Sequence, residues 1–115
     1  MQIQVNTDDH VEGRDALNAY VEKEIRETLS RFSDRVTRVE VHLGDENAGK
    51  AGSADKRCMM EARPNGQPPL SVKHHAPTLD EAMHGALRKL KSVLDGKFSQ
   101  LHDHKGAESI RDLAG

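Results

Sequence analysis

At 115 residues the chain is long enough for one domain with one modest core and too short for two. Apolar residues make up 35% and charged residues 31%, and Tyr20, Phe32 and Phe98 are the only large rings, so the core has to come mainly from Val, Leu, Ile, Met and Ala. A net charge of −2 argues against avid, indiscriminate polyanion binding. No apolar run reaches the length of a membrane span and the first residues lack a signal-peptide layout, which makes the cytoplasm the expected compartment.

The charge is unevenly spread. Residues 1–34 hold four Lys/Arg against eight Asp/Glu, a net −4, whereas residues 35–77 hold seven against five and residues 78–115 six against six. A local basic surface is therefore compatible with the acidic total.

Ile3 and Val5 alternate with Gln2, Gln4 and Asn6, which predicts a short half-buried strand. Residues 14–32 change to helical spacing, with Leu17, Tyr20, Val21, Ile25, Thr28, Leu29 and Phe32 on or near one face. Glu22→Arg26 and Glu27→Arg31 are favourable pairs four residues apart, worth roughly 0.2–0.5 kcal/mol each in an isolated helix. Ser33-Asp34 is the predicted stop, and Val39, Val41 and Leu43 then alternate with Arg38, Glu40 and His42 as an amphipathic strand.

Gly44 to Ala54 is rich in Gly, Ala and small polar residues and reads as a mobile loop. Cys58, Met60 and Ala62 alternate with Arg57, Met59, Glu61 and Arg63 as the next strand, Pro64-Asn65-Gly66 supplies a turn, and Leu70, Val72, His74 and Ala76 form the inward side of a last strand. Pro77 stops that strand. Thr78-x-x-Glu81 is a capping box, and Leu79, Met83, Ala86, Leu87, Leu90, Leu94, Phe98 and Leu101 make one apolar helical stripe. His84, Arg88 and Lys91 flank that stripe on one side and Lys89 on the other. Gly85 and Gly96 each weaken the helix by about 1 kcal/mol relative to Ala, and Asp95-Gly96 is a candidate end or kink. The domain is expected over 1–105, with a polar, flexible tail over 106–115.

One apolar face on every strand and one apolar stripe on each helix predict an α+β fold. It is a two-layer β-α-β-β-β-α sandwich with both helices on one face of a four-stranded sheet. The other face, in water, carries Gln2, Gln4, Arg38, Glu40, His42, Arg57, Met59, Glu61, Arg63, Ser71, Lys73 and His75.

Neighbours on a strand point to opposite faces, so His74 and His75 do not share an ion; His74 is expected to face the helices and His75 solvent. His102 and His104 lack the partners of a zinc site, and no metal or other cofactor is expected. Cys58 is the only cysteine, alternates with core residues and reads as structural. Gly44, Gly49 and Gly52 lead into a strand without a following Lys-Ser/Thr, so they make no phosphate-cradling loop. No residue set points to an enzyme or to a small-molecule substrate.

The order MQIQVN, DALNAYVEKEIRETLSRF, VTRVEVHL and TLDEAMHGALRKLKSVL, closing on LHDHKG, resembles the ribosome hibernation-promoting factor family, also called ribosome-associated inhibitor or S30EA-type proteins, in its short form. The resemblance covers residue 1 to about residue 105. It implies a fold similar to double-stranded-RNA-binding domains. It also implies binding of the small ribosomal subunit in the decoding channel, where tRNA and mRNA are excluded and ribosomes are held idle under stress. Carried over by position, Lys89 matches the family's basic helix best, with Arg88, Lys91 and Lys97 in the same segment. Arg57, Arg63 and Lys73 on the sheet complete the expected rRNA contacts, as cations that position the protein on phosphates rather than read sequence. The scarcity of rings argues against base stacking as the main binding mode. The alternative reading is a divergent member of the same fold that binds a protein partner, and a weak homodimer through an open sheet edge remains compatible with the pattern.

Overall fold

The computed structural model describes residues 1–8, 13–45 and 56–114, with side chains described as far as residue 99. The chain runs β1 (Gln2–Thr7), α1 (Arg14–Thr28), a single 3-10 turn (Ser30–Phe32), β2 (Val36–Asp45), β3 (Lys56–Pro64), β4 (Leu70–Ala76) and α2 (Leu79–Ala114). The strands form one sheet in the order β1-β2-β3-β4, with β1 parallel to β2 and the other neighbours antiparallel. The parallel pair follows from the intervening helix, since a crossover of this length returns the chain to run in the same direction. The expected α+β sandwich is the observed one.

Register decides which side chains share a face. Val39 pairs with Ala62, Val41 with Met60 and Leu43 with Cys58, and all six are buried. They meet Val21, Ile25 and Leu29 from α1 and Met83, Ala86, Leu87, Leu90 and Leu94 from α2 in one core. α1 lies against β1, and α2 against β3 and β4. The opposite face repeats the sequence reading row by row: Gln4, Glu40, Glu61 and Ser71 stand in register, as do Asn6, His42, Met59 and Lys73.

Local details follow from residue chemistry. The Glu81 backbone N–H donates to Thr78 Oγ1 at 3.1 Å, one arm of the expected capping box. Gly66 takes φ 69° in the turn between β3 and β4, where the Gln67 N–H reaches the Pro64 carbonyl at 3.3 Å. The Asn65 N–H is held by the Arg35 carbonyl at 2.8 Å, and its side-chain amide donates to the Asp34 carbonyl at 3.1 Å.

Several expectations are corrected. α1 ends at Thr28 and gives way to the tighter turn at Ser30–Phe32, so the helix stops before Ser33-Asp34. α2 passes through Asp95-Gly96 and continues to Ala114, beyond the end near Leu101 read from the polar sequence. Nothing after Gly96 up to Ala114 is a proline, and most of those residues are adequate helix formers. Arg31 pairs with Asp95 of α2 rather than with Glu27. Tyr20 is 40% exposed and outside the core, because its hydroxyl needs polar partners and finds them at the seam between the helices. Ala82, absent from the predicted stripe, is fully buried. The loop read over Gly44 to Ala54 lies largely outside the described residues.

Candidate functional site

The seven cations expected to form a binding surface do not form one patch. Arg57 and Arg63 on β3 and Lys73 on β4 project from the sheet face turned away from the helices, since Cys58, Met60 and Ala62 occupy the other face. Arg88, Lys89, Lys91 and Lys97 belong to the helix layer. The two sets stand back to back and meet only at the β4 edge, where Lys89 Nζ donates to the Lys73 carbonyl at 2.8 Å. A lysine so placed satisfies an edge carbonyl and hinders another strand from adding there.

On the sheet face, opposite charges sit two apart along β2 and along β3. Arg38 is 3.5 Å from Glu40 and Arg63 3.4 Å from Glu61. Across the strands like faces like, Arg38 opposite Arg63 and Glu40 opposite Glu61. A flat polyanion laid on this face meets Arg38, Arg57, Arg63 and Lys73 against Glu40 and Glu61, a cationic balance that the two ion pairs partly offset. Lys73 has no ion pair or hydrogen bond to its ammonium among the described residues, and it projects from this face next to Met59, with His42 one strand further in.

On α2, Arg88, Lys89 and Lys91 spread around the exposed half of the helix, whereas Lys97, seven residues after the fully buried Leu90, stands at the phase of the core-facing stripe. Residues two apart sit roughly 200° around the axis, which sends Lys89 toward β4 and Lys91 toward α1. Lys91 lies 3.8 Å from Asp95, a half-exposed pair of small energetic weight. Arg88 is exposed, Lys97 partly so, and neither has an ion-pair partner among the described residues. Arg88 therefore carries an unpaired charge on the exposed side of the helix, beside His84.

Beside Arg88 the two helices are clasped. The Tyr20 hydroxyl donates to Asp80 Oδ1 at 3.0 Å and lies 3.0 Å from His84 Nε2, with the Tyr20 and His84 rings edge to face at 6.2 Å. A phenol has one proton, so with that proton on Asp80 the His84 Nε2 must donate to the phenol oxygen. Glu24 of α1 stands 3.7 Å from the same nitrogen and Asp80 3.4 Å. The hydrogen bond to Asp80, reinforced by desolvation and by the charges of Asp80 and Glu24, pushes the Tyr20 hydroxyl up to about 12. The acid of the first third therefore partly compensates the His84 flank of α2 and leaves Arg88 and the Lys89 flank outside the clasp.

Sequence reasoning missed a further cationic element. Arg31 and Arg35 bracket the turn after α1, and their guanidinium groups lie over the rings of Phe32 and Phe98, at 4.9 and 5.2 Å from the ring centres. The two rings stack at 5.4 Å with 25° between their planes. The Arg-Phe-x-x-Arg spacing is visible in the sequence, but Phe98 comes from the far end of the chain and no local signal pairs it with Phe32.

His74 is half-buried against α2 and His75 exposed, as expected for neighbours on a strand. Burial alone pushes the Cys58 thiol up to about 12, which suits a packing role. Among the described residues no cluster of three or more His, Cys, Asp or Glu is arranged to hold a metal, and the side chains of His102 and His104 lie outside them. Among the described residues no helix is long and apolar enough to cross a membrane.

The family described as Sigma 54 modulation protein / S30EA ribosomal protein matches residues 3–102. The chain belongs to this family. Among solved structures it is similar to the N-terminal domain of Protein Y from Thermus thermophilus, with 26% identity and a TM-score of 0.62 over 80% of this chain and 93% of that one. It shares its fold with a ribosomal subunit interface protein from Coxiella burnetii, with 18% identity and a TM-score of 0.65 over 86% of this chain and 99% of that one. No curated protein matches. As an S30EA family member the chain has the four-stranded mixed sheet with two helices that these structures display.

Proposed function

We propose that this protein is a ribosome-associated translation inhibitor that binds the small subunit in the decoding channel and keeps tRNA and mRNA out while ribosomes are idle. The supporting observation is family membership over residues 3–102, joined to a helix layer whose Arg88, Lys89 and Lys97 have no ion-pair partner among the described residues. The mechanism is occupancy. A rigid domain fills a channel that the substrates of translation need, and its cations neutralise rRNA phosphates without reading sequence. It acts in the cytoplasm and needs no cofactor.

Because the sheet cations lie on the opposite side of the domain, the helix layer carries the main contact. Arg57, Arg63 and Lys73 engage only where rRNA also covers the sheet, as it does in a channel that surrounds the protein. Co-sedimentation with ribosomes and separated subunits in sucrose gradients tests this. The protein should travel with the small subunit and with whole ribosomes at low salt and be lost as salt rises, log K falling by roughly 0.7–0.9 per neutralised phosphate for each unit of log salt. R88E/K89E/K91E should stay at the top of the gradient. Retained co-migration of that variant, or salt-insensitive binding, would instead favour a protein partner engaged by apolar contact.

A further inference from the structure

We infer that the notch formed by Arg31, Arg35, Phe32 and Phe98 is a binding site for one unpaired nucleotide of an RNA partner. The notch is a cleft of about 360 Å³ between the turn after α1 and the 95–99 stretch of α2, with Asp95 and Ser99 completing its wall. Its floor is the stacked ring pair, which is half-sheltered: Phe32 is buried and Phe98 partly buried. Its upper surface is the two guanidinium groups, whose side chains lie toward solvent.

Each element of the notch suits a base and its phosphate together. A guanidinium lying on an aromatic ring is held by that ring, and its outer face stays open for a planar partner, while its N–H edges remain free to donate to phosphate. Unpaired bases stack on such planes, in a way that tolerates any base because each has a π-face. Arg31 is anchored by Asp95, and Asp95 also lies 3.8 Å from Lys91, so the one carboxylate in the wall is already compensated. The Arg35 guanidinium has no carboxylate or hydrogen-bond partner among the described residues and lies over the Phe98 ring. The notch as a whole is therefore cationic, planar and apolar-floored. That combination serves a nucleotide better than it serves a bare phosphate, which has no use for rings, or an acidic peptide, which has no use for a flat stacking surface.

The inference rests on an RNA-bearing partner, as proposed above, and deepens it by adding base stacking to phosphate neutralisation. The low count of rings in the sequence argues against stacking, but the fold gathers two of the three rings and two arginines into one place.

The test uses the full chain and two fluorescently labelled hexamers of equal charge, one of adenosine and one abasic, with anisotropy as the readout at low salt. The intact protein should bind the adenosine hexamer about tenfold more tightly than the abasic one, toward the lower end of what one stacked base contributes. R35K keeps the charge and loses the plane, and F98L keeps the apolar floor and loses the ring; both should bring the two hexamers to within about twofold of each other. A thermal melt checks that F98L remains folded, and R35K, at an exposed position, carries the test if it does not. Equal binding of the two hexamers by the intact protein, absence of hexamer binding, or an undiminished preference in R35K overturns the inference. So would a poly-glutamate peptide bound as tightly as the adenosine hexamer. Ribosome co-sedimentation of the intact protein separates the two levels. Ribosome binding without base preference removes the notch alone, and loss of both removes the ribosome reading as well.

Discussion

Gly85 sits in the buried stripe of α2, where the sequence registers only a weakened helix, and substituting it isolates one packing contact. Helix propensity alone says Gly85→Ala should stabilise an exposed helix by about 1 kcal/mol. The structure opposes this. A Cβ at Gly85 would overlap three atoms of the His74 ring, Cγ among them at 2.5 Å. Because Cγ itself is involved, rotating the ring about its own axis does not clear the clash. Either His74 must change χ1 and leave its half-buried seat, or α2 must lift from β4. Overpacking of this kind costs about 1–3 kcal/mol. Set against the propensity gain, the net expectation is a loss of up to about 2 kcal/mol, or a fall in melting temperature of up to about 10 °C. Chemical denaturation of wild type, G85A, H74A and the double variant supplies a double-mutant cycle. The double variant should be more stable than the sum of the single changes by at least about 1 kcal/mol, because alanine at 74 removes the obstruction. If G85A equals or exceeds wild type in stability, His74 does not hold α2 at that distance and the reasoning fails.

Thr78→Ala should cost about 1 kcal/mol by leaving the Glu81 N–H without its cap, read as a lowered urea midpoint at unchanged slope. Met60→Ala, at a position with no solvent exposure in the middle of β3, should cost about 2–5 kcal/mol and leave much of the chain unfolded at 37 °C by circular dichroism. Cys58 should resist alkylation in the native protein at pH 8 and react at once in urea, since burial keeps its thiol protonated up to about 12. The stability linked to that thiol is fully present below its ordinary 9.0 and lost as pH rises toward 12, because the unfolded chain gives up the proton first. A C58A variant should therefore lose less stability than wild type between pH 9 and 11 in denaturation curves; equal losses would place the alkaline sensitivity elsewhere.

Alternation and helical spacing determined the element order, the layer arrangement and most of the core, because burial of one face per element is a local property of the chain. Val39, Val41, Leu43, Cys58, Met60 and Ala62 could be assigned inward one residue at a time, and the Thr78 cap and the Gly66 turn carry their own chemistry. The family resemblance was legible for the same reason, since it rests on that order and spacing. What only the tertiary structure decided were relations between distant residues. Tyr20 looks like a core ring on the α1 wheel, but its hydroxyl is drawn to Asp80 and His84 some sixty residues on. Gly85 looks like a defect until the His74 ring fills the space above it. The seven basic residues look like one site, yet strand register and helix phase divide them between opposite sides of the domain. Phe32 and Phe98 stack, and bring two arginines with them, only because the tertiary fold sets the turn after α1 against the 95–99 stretch of α2. Periodicity reports which way a residue faces within its own element; which residue it meets there is set by how the elements are laid against one another.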